Sequence, residues 1–208
     1  MKTSKAYKKF LRSHRRSIDM IRRHLYHYKN QHNKWSEYDD DLFRAGIIFS
    51  VAAMDAYFTD RFCESFDPYI RKFGLNKEMD KLLYNSGFDT KKALSMFDQK
   101  RPKSILSNMV RRHLSSFVTQ NFNTIDNLYQ CLGFNKSFTK SVQGISKRKN
   151  LLLSLKILID RRHKIVHAGD YNCHNNLNPL EYRKILRKII ELEKLVFSSE
   201  VLLTNKKI

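Results

Sequence analysis

Turn-forming residues are scarce in this chain of 208 residues, which has six glycines and three prolines. So few breakers exclude a fold of many short strands and tight turns, and leave long helices as the default. Cysteine is scarcer still in useful arrangements. Cys63, Cys131 and Cys173 are odd in number and far apart, with no Cys-x-x-Cys pair, which argues against a disulfide framework and for a reducing compartment. Cys173 adjoins His174, but structural zinc needs four ligands at recognisable spacing, so no metal site is assigned. Long hydrophobic runs are also missing. The most apolar stretch, 45–58, is interrupted by Ser50 and Asp55 and falls short of the about 20 apolar residues of a membrane span. The first residues, MKTSKAYKKFLRSHRRS, are basic without an apolar segment to follow and do not read as a secretory signal. The expectation is a cytoplasmic protein without membrane contact.

Negative charge is the other shortage. Twenty Asp plus Glu stand against forty Lys plus Arg, a formal net charge of +20 and a pI near 10.0. That exceeds what solubility needs, and the basic residues run through every segment rather than a tail. Such a surface attracts polyanions: nucleic acid first, an anionic membrane or an acidic partner next.

What is present is helical periodicity. Phe10, Ile18, Ile21, Leu25 and Tyr28 recur at near-helical spacing and predict a long basic amphipathic helix over 5–30. A second helix, 40–64, is apolar almost all round over 45–58 and is expected at the centre of the domain, where Asp55 must be paired. From 67 to 146 the pattern loosens into an insertion, with helices near 77–84, 104–118 and 124–132. A helix over 147–167 is stopped by Gly169, and Asn178 and Pro179 open a last one, 180–203. The reading is one all-α domain, 1–208: an antiparallel helical bundle with a loosely helical insertion.

The densest chemistry lies at the end of the third core helix: Asp160, Arg161, Arg162, His163, Lys164, Ile165, Val166, His167, Ala168, Gly169, Asp170. Spacing alone says little. With sixteen Arg and eight His, an Arg five residues before a His is expected about 0.6 times by chance, and the chain has two such pairs, Arg22 with His27 and Arg162 with His167. Helix geometry separates them. At about 100° per residue, Leu151, Leu152, Leu155, Leu158, Ile159 and Val166 define one apolar face, and Arg162 falls near its middle. His163 and His167 share the adjoining face. Arg22 lies instead where basic residues are simply dense. The competing structural reading of the later pair is a capping histidine and a salt-bridged arginine.

This segment resembles the motif of the HEPN superfamily: an arginine, a polar residue, three more positions and a histidine closing a helix before a small residue and Gly-Asp. The variant RRHKIVHAGD is closest to the RiboL-PSP-HEPN type, and LFRAGIIFSVAAMDAYFTDRF over 42–62 is similar to that family's earlier buried helix. The resemblance implies a small all-α domain, in many members a metal-independent endoribonuclease of toxin–antitoxin or anti-phage systems. It also implies a two-fold dimer with both copies of the motif lining one site. Residues five apart on a helix diverge by about 140°, so Arg162 and His167 of one protomer do not converge unless the helix end unwinds, and a second copy resolves this.

The expected chemistry is attack of the RNA 2′-hydroxyl on the adjacent phosphate, giving a 2′,3′-cyclic phosphate and a 5′-hydroxyl without cofactor or metal. His167 is expected as general acid or base, Arg162 as the group that neutralises the transition state, and His163 as a phosphate or orienting contact. Asp55 is a candidate to hold Arg162 or orient a histidine, with a salt bridge elsewhere equally open to it, and Asp170 is expected as a turn residue. RNA contacts are assigned to Arg22, Arg23, Lys147, Arg148, Lys149, Arg161 and Lys164, with further cations at 183–188. Tyr26, Tyr28 and Trp35 are available to stack unpaired bases, although packing is their commoner fate. Both tRNA and mRNA are reasonable substrates, and an antitoxin or defence complex a reasonable partner. The alternative is a HEPN-like module that binds nucleic acid or protein through the same dimer without cutting. A helical DNA-binding protein is a third reading, for which no helix-turn-helix is evident.

Overall fold

The structure is a computed structural model that describes residues 3–31, 37–96, 102–115, 121–134 and 137–206. Trp35, the side chain of His27 and the end of the helix expected over 104–118 lie outside these residues. The described elements are α-helices: α1 (Lys5–Gln31), α2 (Glu37–Phe73), α3 (Lys77–Asn85), α4 (Thr90–Ser95), α5 (Pro102–Leu114), α6 (Phe122–Gln130), α7 (Phe138–Ser146), α8 (Leu151–Ala168) and α9 (Tyr182–Asn205). Among the described residues the sole β feature is one isolated bridge, Tyr171 with Leu177. The all-α reading is what the structure shows.

Helix α2 is the axis of the bundle and packs against α1, α5, α6, α8 and α9. Its Phe43, Ile47, Val51, Met54, Phe58 and Phe62, three or four residues apart, are fully buried. The far side is open: Phe49 remains 56% exposed and Ala52 is exposed, so the helix is less completely enclosed than its composition predicts. It also runs nine residues beyond the expected end at 64, passing through Pro68. Proline removes one helical hydrogen bond, but burial of Phe62, Phe66 and Tyr69 on both sides of it outweighs that loss. Where α1 crosses α2, Gly46 lets the helices approach so closely that a Cβ there would overlap the buried Ile21 side chain.

Helix α1 has no acidic residue in its first turn, and carboxylates from other helices cap it. Glu200 of α9 is buried and accepts from the Ser4 N–H at 2.6 Å, Ser4 Oγ at 3.0 Å, Tyr57 Oη at 3.1 Å and Arg61 Nε at 3.1 Å. Glu64 of α2 accepts from the Ala6 N–H at 2.9 Å. Further along α1, the buried His14 ring stacks on Phe10 at 4.9 Å. Burial pushes its pKa down to about 4, against a partial offset from the Ile189 backbone.

The segment expected as an insertion contains a helix of the core. Asp126 of α6 accepts from the Thr139 N–H at 2.7 Å and Ser137 Oγ at 2.6 Å, which fixes the start of α7, and α7 packs along α9. Phe138 of α7 stacks on Tyr129 at 4.1 Å and joins the buried cluster that contains Phe58 and Phe62. Lys147 then takes a left-handed conformation, φ 55°, and ends α7. The motif helix therefore starts at Leu151, four residues later than the sequence pattern predicts.

Candidate active site

Helix α8 lies against α2, α7 and α9, with Leu151, Leu155 and Leu158 buried beneath it. Arg162 continues that inward row. Its side chain is partly buried, and its Nε is shielded from solvent without a hydrogen-bond partner among the described residues. Val166, expected in the apolar face, is 45% exposed, because it lies in the last turn of α8; Ile159 and Leu152, further round the same face but earlier in the helix, pack against the core. His163 and His167 lie on the outer side, both exposed, with their rings 4.3 Å apart and tilted by 45°. Two imidazoles so placed offer one proton acceptor and one donor side by side.

The helix end is built around Asp170. Gly169 adopts φ 58° and its N–H donates back to the Lys164 carbonyl, so the chain reverses immediately after the motif. Asp170 follows at φ 66°, a backbone region that Asp tolerates better than most residues, and is buried completely. Its Oδ2 accepts from Arg44 Nε of α2 at 3.0 Å and from Arg161 Nη2 of α8 at 2.6 Å. Asn178 donates its amide to the Asp170 carbonyl at 2.6 Å, and Arg161 Nη2 also donates to the carbonyls of Asn178 at 2.9 Å and Pro179 at 3.2 Å. Arg44 completes the unit by donating to Asp41 at 3.1 Å. Burial lowers the Arg44 pKa, but the bonds to Asp170 and Asp41 outweigh it, so the net shift is upward. This carboxylate ties the turn after the motif to α2 and α8 at once.

The other sequence-assigned residues divide by partner. Arg161 is committed to Asp170, and the exposed Arg148 bonds Glu191 at 3.2 Å. Arg22, Arg23, Lys147, Lys149 and Lys164 are exposed. Tyr26 is 68% exposed and Tyr28 partly buried. Asp55 is partly buried on α2, and among the described residues no ion pair joins it to Arg162. Cys173 and His174 are exposed and gather no third metal-ligating side chain among the described residues.

Sequence reasoning missed Arg44 and Asn178 and took Asp170 for a simple turn residue. One signal was available: Arg44 interrupts the start of the most apolar helix, and the requirement for a partner applied there to Asp55 applies equally to it.

Fold and site together define an all-α domain carrying an Arg–His motif on the outer end of one helix. The model of the RiboL-PSP-HEPN family matches residues 16–197, and the chain belongs to that family. HEPN domains are commonly ribonucleases that bind RNA and often dimerise. No curated protein and no solved structure matches the chain.

Proposed function

We propose that the protein is a metal-independent endoribonuclease acting as a two-fold dimer. The observation that carries this reading is the division of α8: a partly buried Arg162 with no counter-ion among the described residues on one side, and the exposed His163–His167 pair on the other. A partly buried guanidinium whose shielded Nε has no partner among the described residues is incompletely compensated, and a substrate phosphate supplies the missing anion. The separation of Arg162 from His167 around the helix favours a site completed by the second copy. Val166 at 45% exposure adjoins the histidines, and Ile157 at 54% and Leu153 at 64% lie exposed earlier along α8, which offers that copy apolar contacts along the helix.

In the reaction, the RNA 2′-oxygen attacks phosphorus as His167 or its counterpart removes the 2′ proton. The bond from phosphorus to the 5′-oxygen breaks, and a protonated histidine delivers a proton to the leaving oxygen. Arg162 neutralises the charge that grows on the phosphorane, and His163 holds a phosphate oxygen or orients its neighbour. The products are a 2′,3′-cyclic phosphate and a 5′-hydroxyl. A toxin or anti-phage effector acting on tRNA or mRNA fits this activity.

The test is cleavage of single-stranded RNA in excess EDTA by the wild type, Arg162→Ala and His167→Ala, with folding followed by circular dichroism. Cutting by the wild type and its loss in both folded variants is expected. Dependence on divalent metal, or full activity in both variants, would sink the mechanism, and dimerisation with RNA binding but no cutting would establish a non-catalytic module instead.

A further inference from the structure

Two cavities adjoin between α8 and α9. One, of about 350 Å³, opens over Arg148, Ser154 and Arg187. The other, of about 380 Å³, opens over Ile157, Arg161 and Lys164. Lys184 and Lys188 line both, so the two form one furrow along the helix pair. It runs from the N-terminal end of α8 to Lys164, three residues short of His167.

The charges along it are unevenly matched. Glu191 is buried, bonded by Ser154 Oγ at 2.7 Å and by Arg148, and so is spent within the wall. Glu181 meets Lys184 at 2.6 Å, but both side chains are about two-thirds exposed, and such a pair is weak enough for a phosphate to displace; the exposed Asp160 is the third carboxylate of the lining, against six Lys and Arg side chains. Lys188 bridges to the Ser154 carbonyl at 3.2 Å, which leaves its charge without a carboxylate, and Lys164 and Arg187 are exposed with no ion-pair partner among the described residues. Cations thus outnumber carboxylates along the furrow, which opens on the flank of α8 turned away from the histidines, and Lys164 at its end lies about one turn from His167.

We infer that this furrow is the track on which each protomer grips single-stranded RNA leading to the cleavage site. The inference rests on the ribonuclease reading for its direction toward the histidines, and on the furrow's own charge and shape for its ligand. The crease between two packed helices is a single narrow line, which suits one sugar–phosphate backbone, whereas a duplex presents a wide shallow groove and needs a broad face. Ser154 and His167 are about 20 Å apart along α8 at about 1.5 Å per residue. At about 3.4 Å per nucleotide for a stacked strand, and more when extended, that span holds on the order of three to six nucleotides. The contacts are to phosphates, so the grip is indifferent to sequence.

Binding is measured on full-length His167→Ala protein, which holds RNA uncut, by fluorescence polarisation with a labelled 12-nucleotide single strand and a labelled trinucleotide. Lys184→Gln/Arg187→Gln removes two exposed cations. With a salt slope of about 0.7 per phosphate contact, the 12-mer should bind on the order of tenfold more weakly at 0.1 M salt, and its log–log salt dependence should flatten by about 1.4. The trinucleotide, which spans only part of the furrow, should lose less affinity than the 12-mer. In the cutting-competent protein the same pair should raise KM for the 12-mer and leave kcat alone. Unchanged 12-mer affinity and slope overturn the proposal, as does the absence of any 12-mer binding. A polyglutamate of equal charge that displaces RNA as well as RNA itself also overturns it, in favour of an acidic protein partner. Furrow-dependent binding by a wild type that never cuts supports the track and refutes the ribonuclease reading, so the two can fail separately.

Discussion

Asp170→Asn tests whether the turn after the motif is held by charge. The substitution keeps the size of the side chain and its tolerance of the left-handed backbone at φ 66°, and removes the negative charge that two guanidinium groups share. Asp170 is fully buried, and the side chains of Arg44 and Arg161 are 6% and 23% exposed, so water cannot replace the lost partner well. Breaking a buried pair by removing one member costs about 3–5 kcal/mol. The asparagine oxygen still accepts from one guanidinium and Arg44 keeps Asp41, which places the expected cost at the lower end, about 3 kcal/mol. For a chain of this length that corresponds to a fall in Tm of roughly 6–12 °C. Glu181→Gln is the control, because the Glu181–Lys184 pair is 67% and 66% exposed and should contribute no more than about 0.5 kcal/mol. Thermal and urea unfolding followed by circular dichroism give both numbers. A Tm for Asp170→Asn within about 2 °C of the wild type, or equal losses in the two variants, would refute the assignment of Asp170 as the anchor.

His14 predicts a specific pH dependence. Its folded pKa of about 4 lies below the ordinary imidazole value of 6.5, so between those values the unfolded chain binds a proton that the folded chain does not, and stability falls as pH drops through that window. The full effect is about 3 kcal/mol, and His14→Phe should flatten the stability profile between pH 6.5 and 4; an unchanged slope would show that His14 is protonated in the fold. At the α1–α2 crossing, Gly46→Ala should lose about 1 kcal/mol, overpacking against Ile21 outweighing the helix-propensity gain. Ile21→Val removes the Cδ1 atom that a new Cβ meets first, so the double variant should be more stable than the sum of the singles, and strict additivity would argue against the clash.

The helical class was readable because it rests on local features: scarce breakers and apolar residues at helical spacing. Boundaries were less so. Pro68 is a local stop signal overridden by the burial of Phe66 and Tyr69, and Lys147 is a local helix former held in a left-handed conformation at the end of α7. The site divided in the same way. That Arg162 lies inward and His163 with His167 outward follows from the angle per residue and the stripe of leucines, which any reader of the chain can compute.

Which carboxylate serves which arginine did not follow. Asp170 and Arg44 are separated by 126 positions, and Glu200 reaches Ser4 across 196. Periodicity reports the face on which a residue lies and carries no information about what is packed against that face. The sequence by itself therefore determined an all-helical, strongly basic domain with an arginine set into an apolar face and two histidines beside it. Only the tertiary structure decided that Arg161 rather than Arg162 is tied down, that Asp170 rather than Asp55 is the buried anchor of the motif's end, and that cations from α8 and α9 meet in one furrow. The first two depend on which side chain the turn after α8 presents to α2 and α8, and the third on how that turn folds α9 back along α8, none of which periodicity reports.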